Sequence, residues 1–350
     1  MKNSFLLTGN HGRQVAPSEI MQLGMEFCKS KILLSAVELG VFTELAVAGP
    51  LDSDMLRERL GLHPRGACDF FDALVGLGML EREEGRYSNT PATDLFLDRA
   101  KPSYVGSVFE MINSPLYDVL GSLTEGLRTG LPYRALRSSG SDLLRAPCDH
   151  ADPVGVSRHA TAMTALSVEA ARVIATDFPW QDYKSVIDIG CGQGVVPVQV
   201  ALAQEHIVGG GFDLSAIEPI FSSYVVEYKL AERLTFTAGD LFDTPFPVAD
   251  VLVMGHVLRN WDIEVKRLLL RKACEALPDG GALIIYDAII DDERRNNVYG
   301  LLMSLNALMT TVGGFEYTGA ACRSWMREAG FRKSHTRRLT GHYSMVIGIK

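Results

Sequence analysis

An α/β C-terminal half and a mainly α N-terminal half are what the sequence predicts, on three observations. From Tyr183 onward short apolar runs alternate with helical stretches, the pattern of a parallel, Rossmann-like sheet. The first run, Val186 to Ile189, breaks into Gly190, Gly192 and Gly194 and then into a helical pattern, so a strand feeds a glycine turn that feeds a helix. From Ser18 to about Leu97 the apolar residues instead recur at spacings of three and four, through Ile20, Leu23, Met25, Phe27, Ile32, Leu33, Val37, Leu39 and Phe42, which is a helical period.

Taken in order, residues 1–17 are polar and glycine-rich and read as a flexible N-terminus. Residues 18–100 read as a winged-helix-like domain. Leu51 to Gly61 has an Asp/Ser start and a glycine stop, Arg65 to Leu77 supplies a second helix, and Gly78–Arg82 and Arg86–Thr90 flank Glu83-Glu84-Gly85 as a small β-wing. The second helix carries acids and Phe70-Phe71 in place of a basic face, so a dimerisation and lid role is preferred to DNA binding, with a winged-helix regulator as the alternative. Residues 101–180 continue as helices broken at Pro115, Pro132 and Pro147, with a loop at Ser138–Ser141. Residues 181–350 hold the strand-helix units and close with Phe331 to Leu339, the turn Thr340-Gly341, and His342 to Ile349, a terminal antiparallel hairpin.

The chain has 350 residues, enough for two domains with separate cores. Its net charge is −8, and the basic piece Arg332 to Arg338 is short and reads as a solvated strand face; nucleic acid is therefore a poor substrate. No apolar run reaches ~18 residues and no secretory layout opens the chain, so a cytoplasmic location is expected. Cys28, Cys68, Cys148, Cys191, Cys274 and Cys322 include no C-x-x-C pair, which favours reduced, mostly buried thiols over disulfides or a zinc site, and no metal is expected.

The glycine turn gains meaning from the strands downstream of it. A second strand ends in Gly211-Phe212-Asp213, its acid placed for a ribose diol, and a third, Leu234 to Thr237, runs into Gly239-Asp240-Leu241-Phe242, a carboxylate and an apolar wall for an adenine. The fourth is Asp250 to His256. A glycine turn with acids after the second and third strands is the pattern of an S-adenosylmethionine site.

With these pieces in place the chain resembles the plant-type and acetylserotonin-type small-molecule O-methyltransferases from about residue 18 to its end. Asp188 to Gly194 is similar to that family's glycine loop, Phe212-Asp213-Leu214 to its ribose turn, and Gly239 to Phe242 to its adenine-side segment. Ala162-Met163 with Ser167 looks like the helix that touches acceptor and cofactor carboxylate, and Ala276 to Gly281 and Gly313 to Thr318 fall at matching turns. The resemblance implies a seven-stranded class I methyltransferase sheet, an N-terminal dimerisation domain, a homodimer, S-adenosylmethionine as cofactor, and aromatic acceptors of secondary metabolism. It implies cofactor contacts from Ser167, Asp188, Gly190, Gly192, Gly194, Asp213, Leu214, Asp240, Leu241 and Phe242, and acceptor contacts from His159, Met163, Met303 and Asn306, with Leu305, Met309 and Phe315 nearby.

One position departs. Where the family has a proton-removing histidine in a His-Asp-Trp run, this chain has Arg259-Asn260-Trp261, and a guanidinium with a pKa above ~12 accepts no proton. The acids that flank that histidine in the family match Asp287 and Glu316, and the family's nearby lysine matches Gly255. Three readings are open. Arg259 binds an anionic acceptor that is already ionised or carbon-centred, giving O- or C-methylation; or another residue, His256 first and His159 second, is the base; or the bound cofactor serves decarboxylation, hydroxylation or cyclisation. Structural readings stand beside these: His256 as a satisfied core histidine, Arg259 paired with Asp262 or Glu264, and His63, His150, His206, His335 and His342 near turns or on solvated faces. Asn306, in an apolar helix, wants a hydrogen-bond partner.

Overall fold

The computed structural model describes residues 7–8, 14–15, 17–137 and 153–350, and the chain divides into two compact units that part between Ser114 and Pro115. Ser138–Ser141, Pro147, Cys148, His150 and most of the expected flexible N-terminus lie outside the described residues. Within that N-terminus, Leu7–Thr8 pairs antiparallel with Gln14–Val15.

In the first unit the helix Ser18–Leu39 stops at Gly40, whose left-handed φ of 74° lets its N–H return to the carbonyls of Ala36 and Val37. Helices Val41–Ala48, Ser53–Arg59 and Pro64–Gly76 come next. Asp52 caps the third helix by accepting the Met55 N–H at 2.9 Å. The wing is Leu80–Glu83 paired with Arg86–Asn89. Its two-residue turn, Glu84 and Gly85, has both φ values positive, 49° and 79°, which matches the twist of the strands it joins. Phe42, Phe71, Leu74 and Tyr87 are buried among the helices, and the Tyr87 hydroxyl donates to Asp72 at 2.7 Å, fastening the wing to the preceding helix. One apolar face has no cover among the described residues: Ile20, Leu23, Met25 and Phe27 are all more than half exposed.

The second unit is built on a seven-stranded sheet. Its strands are β1 (Ser185–Ile189), β2 (Val208–Asp213), β3 (Leu234–Ala238), β4 (Val251–Gly255), β5 (Ala282–Asp287), β6 (Lys333–Arg338) and β7 (Ser344–Ile349), in the spatial order β6-β7-β5-β4-β1-β2-β3. β1 to β5 are parallel; β7 runs antiparallel between β5 and β6. The central strands are covered on both faces, which is why β4 and β5 read as unbroken apolar runs. One face packs on Leu269, Leu270, Ala273 and Met326, the other on Ile174, Trp180, Val196 and Val200. β6, at the edge, exposes nearly every residue of Lys-Ser-His-Thr-Arg-Arg, and those charges oppose edge-to-edge pairing.

β2 departs from the apolar rule with three consecutive glycines. Gly209 and Gly210 hold φ of 152° and 157°, and a Cβ built on either would sit 1.7 Å from the carbonyl oxygen of Val186 or Thr235 in the neighbouring strands. Only glycine passes between β1 and β3 here, so Gly210→Ala should cost at least ~3 kcal/mol of stability. Urea unfolding measures this, and a change below ~1 kcal/mol would show that the strand tolerates a side chain.

Candidate active site

A cavity of about 670 Å³ opens at the C-terminal ends of β1 to β4, the end at which parallel sheets bind ligands. Asp188, near the end of β1, is 4% exposed and lines it. Gly190, Gly192 and Gly194 come after it with φ of 72°, 52° and 85°. A Cβ on Gly194 would meet the Phe221 ring at 2.5 Å, so the turn can press close to its neighbours before the helix Val195–Ala203 begins. That helix directs its unpaired N–H groups toward the turn. Asp213 ends β2, and its carboxylate accepts the N–H of Gly192 at 3.0 Å and of Leu214 at 2.8 Å. After β3, Asp240 accepts the Phe242 N–H at 2.7 Å, while Leu241 and Phe242 line the wall, the latter edge-on to Trp261 at 5.0 Å. The helix Pro153–Asp177 contributes His159, Met163 and buried Ser167 to the same lining.

The lining holds four aspartates, Asp188, Asp213, Asp240 and Asp243, and among the described residues neither lysine nor arginine. Burial, and then the Asp213 charge, push the Asp188 carboxyl well above the usual range. A ligand with positive charge and hydroxyl donors suits such a wall; a polyanion does not.

β4 hands over to His256, which lines the cavity in a left-handed conformation, φ 57°. Its N–H donates to the Tyr286 carbonyl at 3.2 Å, and the Asn260 side chain donates to its carbonyl at 2.9 Å. The ring stands edge-on to Tyr286 and Tyr343, each at 5.2 Å. Nδ1 lies 3.6 Å from Asp287 Oδ1, beyond hydrogen-bond reach, and Nε2 is buried without a hydrogen-bond partner among the described residues. Burial, and then the nearby Arg259 guanidinium, pull the imidazole down to about 3, so it is neutral at physiological pH.

Arg259, Asp287 and Glu316 come together behind this wall and not in it. Arg259 Nε is 2.9 Å from Glu316 Oε1 and its Nη2 donates to the Met303 carbonyl at 2.9 Å. The approach to Glu316 is not aligned as a hydrogen bond, so the contact is a close ion pair. The pairing expected with Asp262 or Glu264 is replaced: Asp262 caps the helix Ile263–Ala276 by accepting the Val265 N–H, and Glu264 pairs with Arg267. Asp287 is fully buried and accepts the Tyr317 hydroxyl. Burial drives both carboxyls up; for Glu316 the Asp287 charge adds to this, while Arg259 and Lys266 oppose it for both.

Met303 and Asn306 stand outside the cavity lining. Asn306 is only partly buried, and its amide meets Thr310 Oγ1 at 3.4 Å and the Met303 sulfur at 3.9 Å. Met309 is core. His63 accepts the Arg65 N–H, His206 meets the Trp180 carbonyl, and His342 stacks on Tyr299. Cys191, Cys274 and Cys322 are buried, Cys28 is partly buried, and Cys68 is exposed.

Sequence reasoning missed Lys266, which is completely buried and donates to the Trp261 carbonyl. The signal was present: Lys266, Leu269, Leu270, Ala273 and Cys274 form one stripe at helical spacing, and a lysine in such a stripe is out of place. It also missed Gln193, Asn260 and Tyr286 in the lining. Among the described residues no cluster of three or more His, Cys, Asp or Glu is placed to hold a metal, and no helix is long and apolar enough to cross a membrane.

Comparison with known proteins gives this geometry a family. Residues 149–332 match the O-methyltransferase domain and residues 21–99 the O-methyltransferase dimerisation domain. The chain is 39% identical over 341 residues to the tetracenomycin polyketide synthesis 8-O-methyl transferase TcmO of Streptomyces glaucescens, covering 97% of this chain and 98% of that one. It is 34% identical to the N,N-dimethyltransferase OxyT of Streptomyces rimosus, over 91% and 92% of the two chains. In fold it matches human N-acetylserotonin methyltransferase in complex with SAM, with a TM-score of 0.87, 23% identity, and 98% and 99% of the chains covered. A domain match over more than half the sequence and a near-full-length relative place the chain in the O-methyltransferase family, as an S-adenosylmethionine-dependent methyltransferase.

Proposed function

We propose that the chain methylates a hydroxyl group on a small aromatic acceptor of polyketide type, as a homodimer formed through its N-terminal domain. The observation that carries this reading is the cavity in which the glycine turn, the aspartates and the aromatic wall of Trp261, Phe242 and Tyr286 meet. The likeness to TcmO supports the acceptor class, and the uncovered face of Ile20, Leu23, Met25 and Phe27 supports dimerisation.

The residues present fit S-adenosylmethionine, because an acidic lining that among the described residues holds no lysine or arginine favours a ligand with a sulfonium and an ammonium. Asp213, held by the Gly192 and Leu214 amides, is the ribose acceptor in this reading. Asp240, Leu241 and Phe242 flank the adenine, and Ser167, Asp188 and the glycines face the amino-acid end. When bound, the cofactor supplies a methyl group already activated for in-line displacement. The chain's own task is then to orient the acceptor and exclude water, through His159, Met163 and Trp261.

His256 has a place in the wall and a buried Nε2 without a hydrogen-bond partner among the described residues, and in this reading that nitrogen receives the acceptor's hydroxyl hydrogen. Its depressed pKa makes it an orienting group, not a strong base. A phenol near pKa ~10 must therefore supply most of the acidity itself. Arg259 is the counter-ion of Glu316, and an anion clamp on the acceptor is not part of this reading.

Three outcomes test it. Asp213→Ala should abolish cofactor binding in calorimetry, and unchanged affinity would remove the ribose assignment. Arg259→Ala should lower stability by about 3–5 kcal/mol by stranding the Glu316 carboxylate; if stability holds and only the acceptor's KM rises, Arg259 touches the acceptor after all. With hydroxylated aromatics, mass spectrometry should show products heavier by one methylene, and kcat/KM should rise with pH toward the acceptor's own pKa and then level. A midpoint fixed near ~6.5 whatever the acceptor would identify an imidazole base, and decarboxylated, hydroxylated or cyclised products would replace this reading with repurposed chemistry.

A further inference from the structure

In the cavity wall and behind it, His256 Nε2, Arg259 Nε, Asp287 Oδ1 and both Glu316 oxygens are buried and have no hydrogen-bond partner among the described residues. They belong to one cluster with two carboxylates at or below 1% exposure. Arg259 gives this cluster one cation, in contact with Glu316. Tyr317 gives Asp287 a neutral hydroxyl. The second full charge, among the described residues, comes from Lys266, which is 0% exposed.

The placement of that ammonium is costly in its burial and in its place on the helix. It sits one turn into the helix Ile263–Ala276, at the end where the peptide dipoles disfavour a cation. It is desolvated, and this burial pulls it down to about 8 although Asp287, Glu316 and Asp262 oppose the shift. Its Nζ lies 3.5 Å from the centroid of the Phe315 ring and 5.7 Å from that of Tyr317, and its hydrogen bond goes to the carbonyl of Trp261. Trp261 is in the cavity wall, two residues after Arg259 and five after His256.

We propose that Lys266 is a positioning residue for methyl transfer: with Arg259 it neutralises the Asp287–Glu316 pair, and by gripping the Trp261 carbonyl it holds the His256–Trp261 segment as the acceptor wall. The proposal rests on the acceptor reading above. The groups that face Lys266 are Asp287 from β5, Phe315, Glu316 and Tyr317 from the segment after the helix Val298–Thr310, Asp262 from the segment before its own helix, and Cys322 from the helix Gly319–Ala329; Arg259 reaches the cluster through Glu316.

Lys266→Met keeps an unbranched side chain, one atom shorter, and removes the charge. The cluster then holds one cation for two carboxylates and takes up a proton to restore neutrality, so one carboxyl has a folded pKa further above its unfolded value. Stability from such a group is present at low pH and lost as pH rises. The melting temperature of the variant, without cofactor or acceptor, should therefore fall further below the parent's at about pH 8 than at about pH 6. Its acceptor kcat/KM should drop about tenfold to a hundredfold, with the smaller loss at the lower pH, while the cofactor Kd stays within about twofold. Lys266→Met/Glu316→Gln restores charge balance and should flatten the pH dependence of melting, and it carries the test where the single variant does not fold. A melting deficit that is absent or independent of pH, a double variant that also fails to fold, or an unchanged kcat/KM would overturn the proposal. Because melting needs no ligand, a parent enzyme that methylates no hydroxylated aromatic would sink the acceptor reading while leaving the charge-balance result to be read by itself.

Discussion

Two carboxylates removed from water, Asp287 at the end of β5 and Glu316 before the last helix, set the terms for everything around the reacting end of the cavity. An isolated buried carboxylate is too costly to persist, so each needs a countercharge or a proton. Arg259 pairs with Glu316 outside the cavity lining, Tyr317 turns its hydroxyl to Asp287, and Lys266 stands in an otherwise apolar buried stripe. The left-handed turn at His256 belongs to the same arrangement, since it returns the backbone N–H to Tyr286 beside Asp287. Strain of this kind persists only where the surroundings over-determine it.

The other end of the cavity obeys a different electrostatic rule. Its lining as described holds four aspartates and neither lysine nor arginine; Lys272 acts on Asp240 and Asp243 from outside it, and Asp213 accepts from backbone amides. Backbone donors fix a carboxylate without neutralising it, so the wall keeps its negative field for a ligand. The glycines of β2 serve this indirectly. They let β1 and β3 approach β2 where side chains would collide, and the ends of these three strands carry the glycine turn, Asp213 and the segment with Asp240.

Much of this was legible in the sequence because it is encoded locally. A glycine turn must come after a strand, an acid must end the next one, and parallel strands covered on both faces must be apolar; all three are written in consecutive residues. The wing was legible for the same reason, since Glu84-Gly85 between short strands permits only a tight turn. The partner of Arg259 was not. Its sequence neighbours Asp262 and Glu264 were the natural candidates, but the first is engaged in capping a helix and the second pairs within it, and the true partner lies 57 positions away by subtraction of 259 from 316. Lys266 was hidden by charge: basic residues are read as solvated unless the apolar period around them is checked.

A permanent cation between two buried acids leaves a charge to be accounted for. A histidine between two acids can leave the cluster with either proton count, so the local charge adjusts to the acceptor. A guanidinium fixes its own charge at every working pH, and the two carboxylates then exceed it by one. The surplus can be removed by a standing proton, which would make the wall sensitive to pH near neutrality, or by a second buried cation. Lys266 supplies that cation, and its hydrogen bond ties it to Trp261 in the wall instead of leaving it as a bare countercharge. A site built this way has a rigid, charge-balanced backing in place of a group that could cycle its proton. Such a backing suits an enzyme that relies on placement and on the acceptor's own acidity more than on a general base.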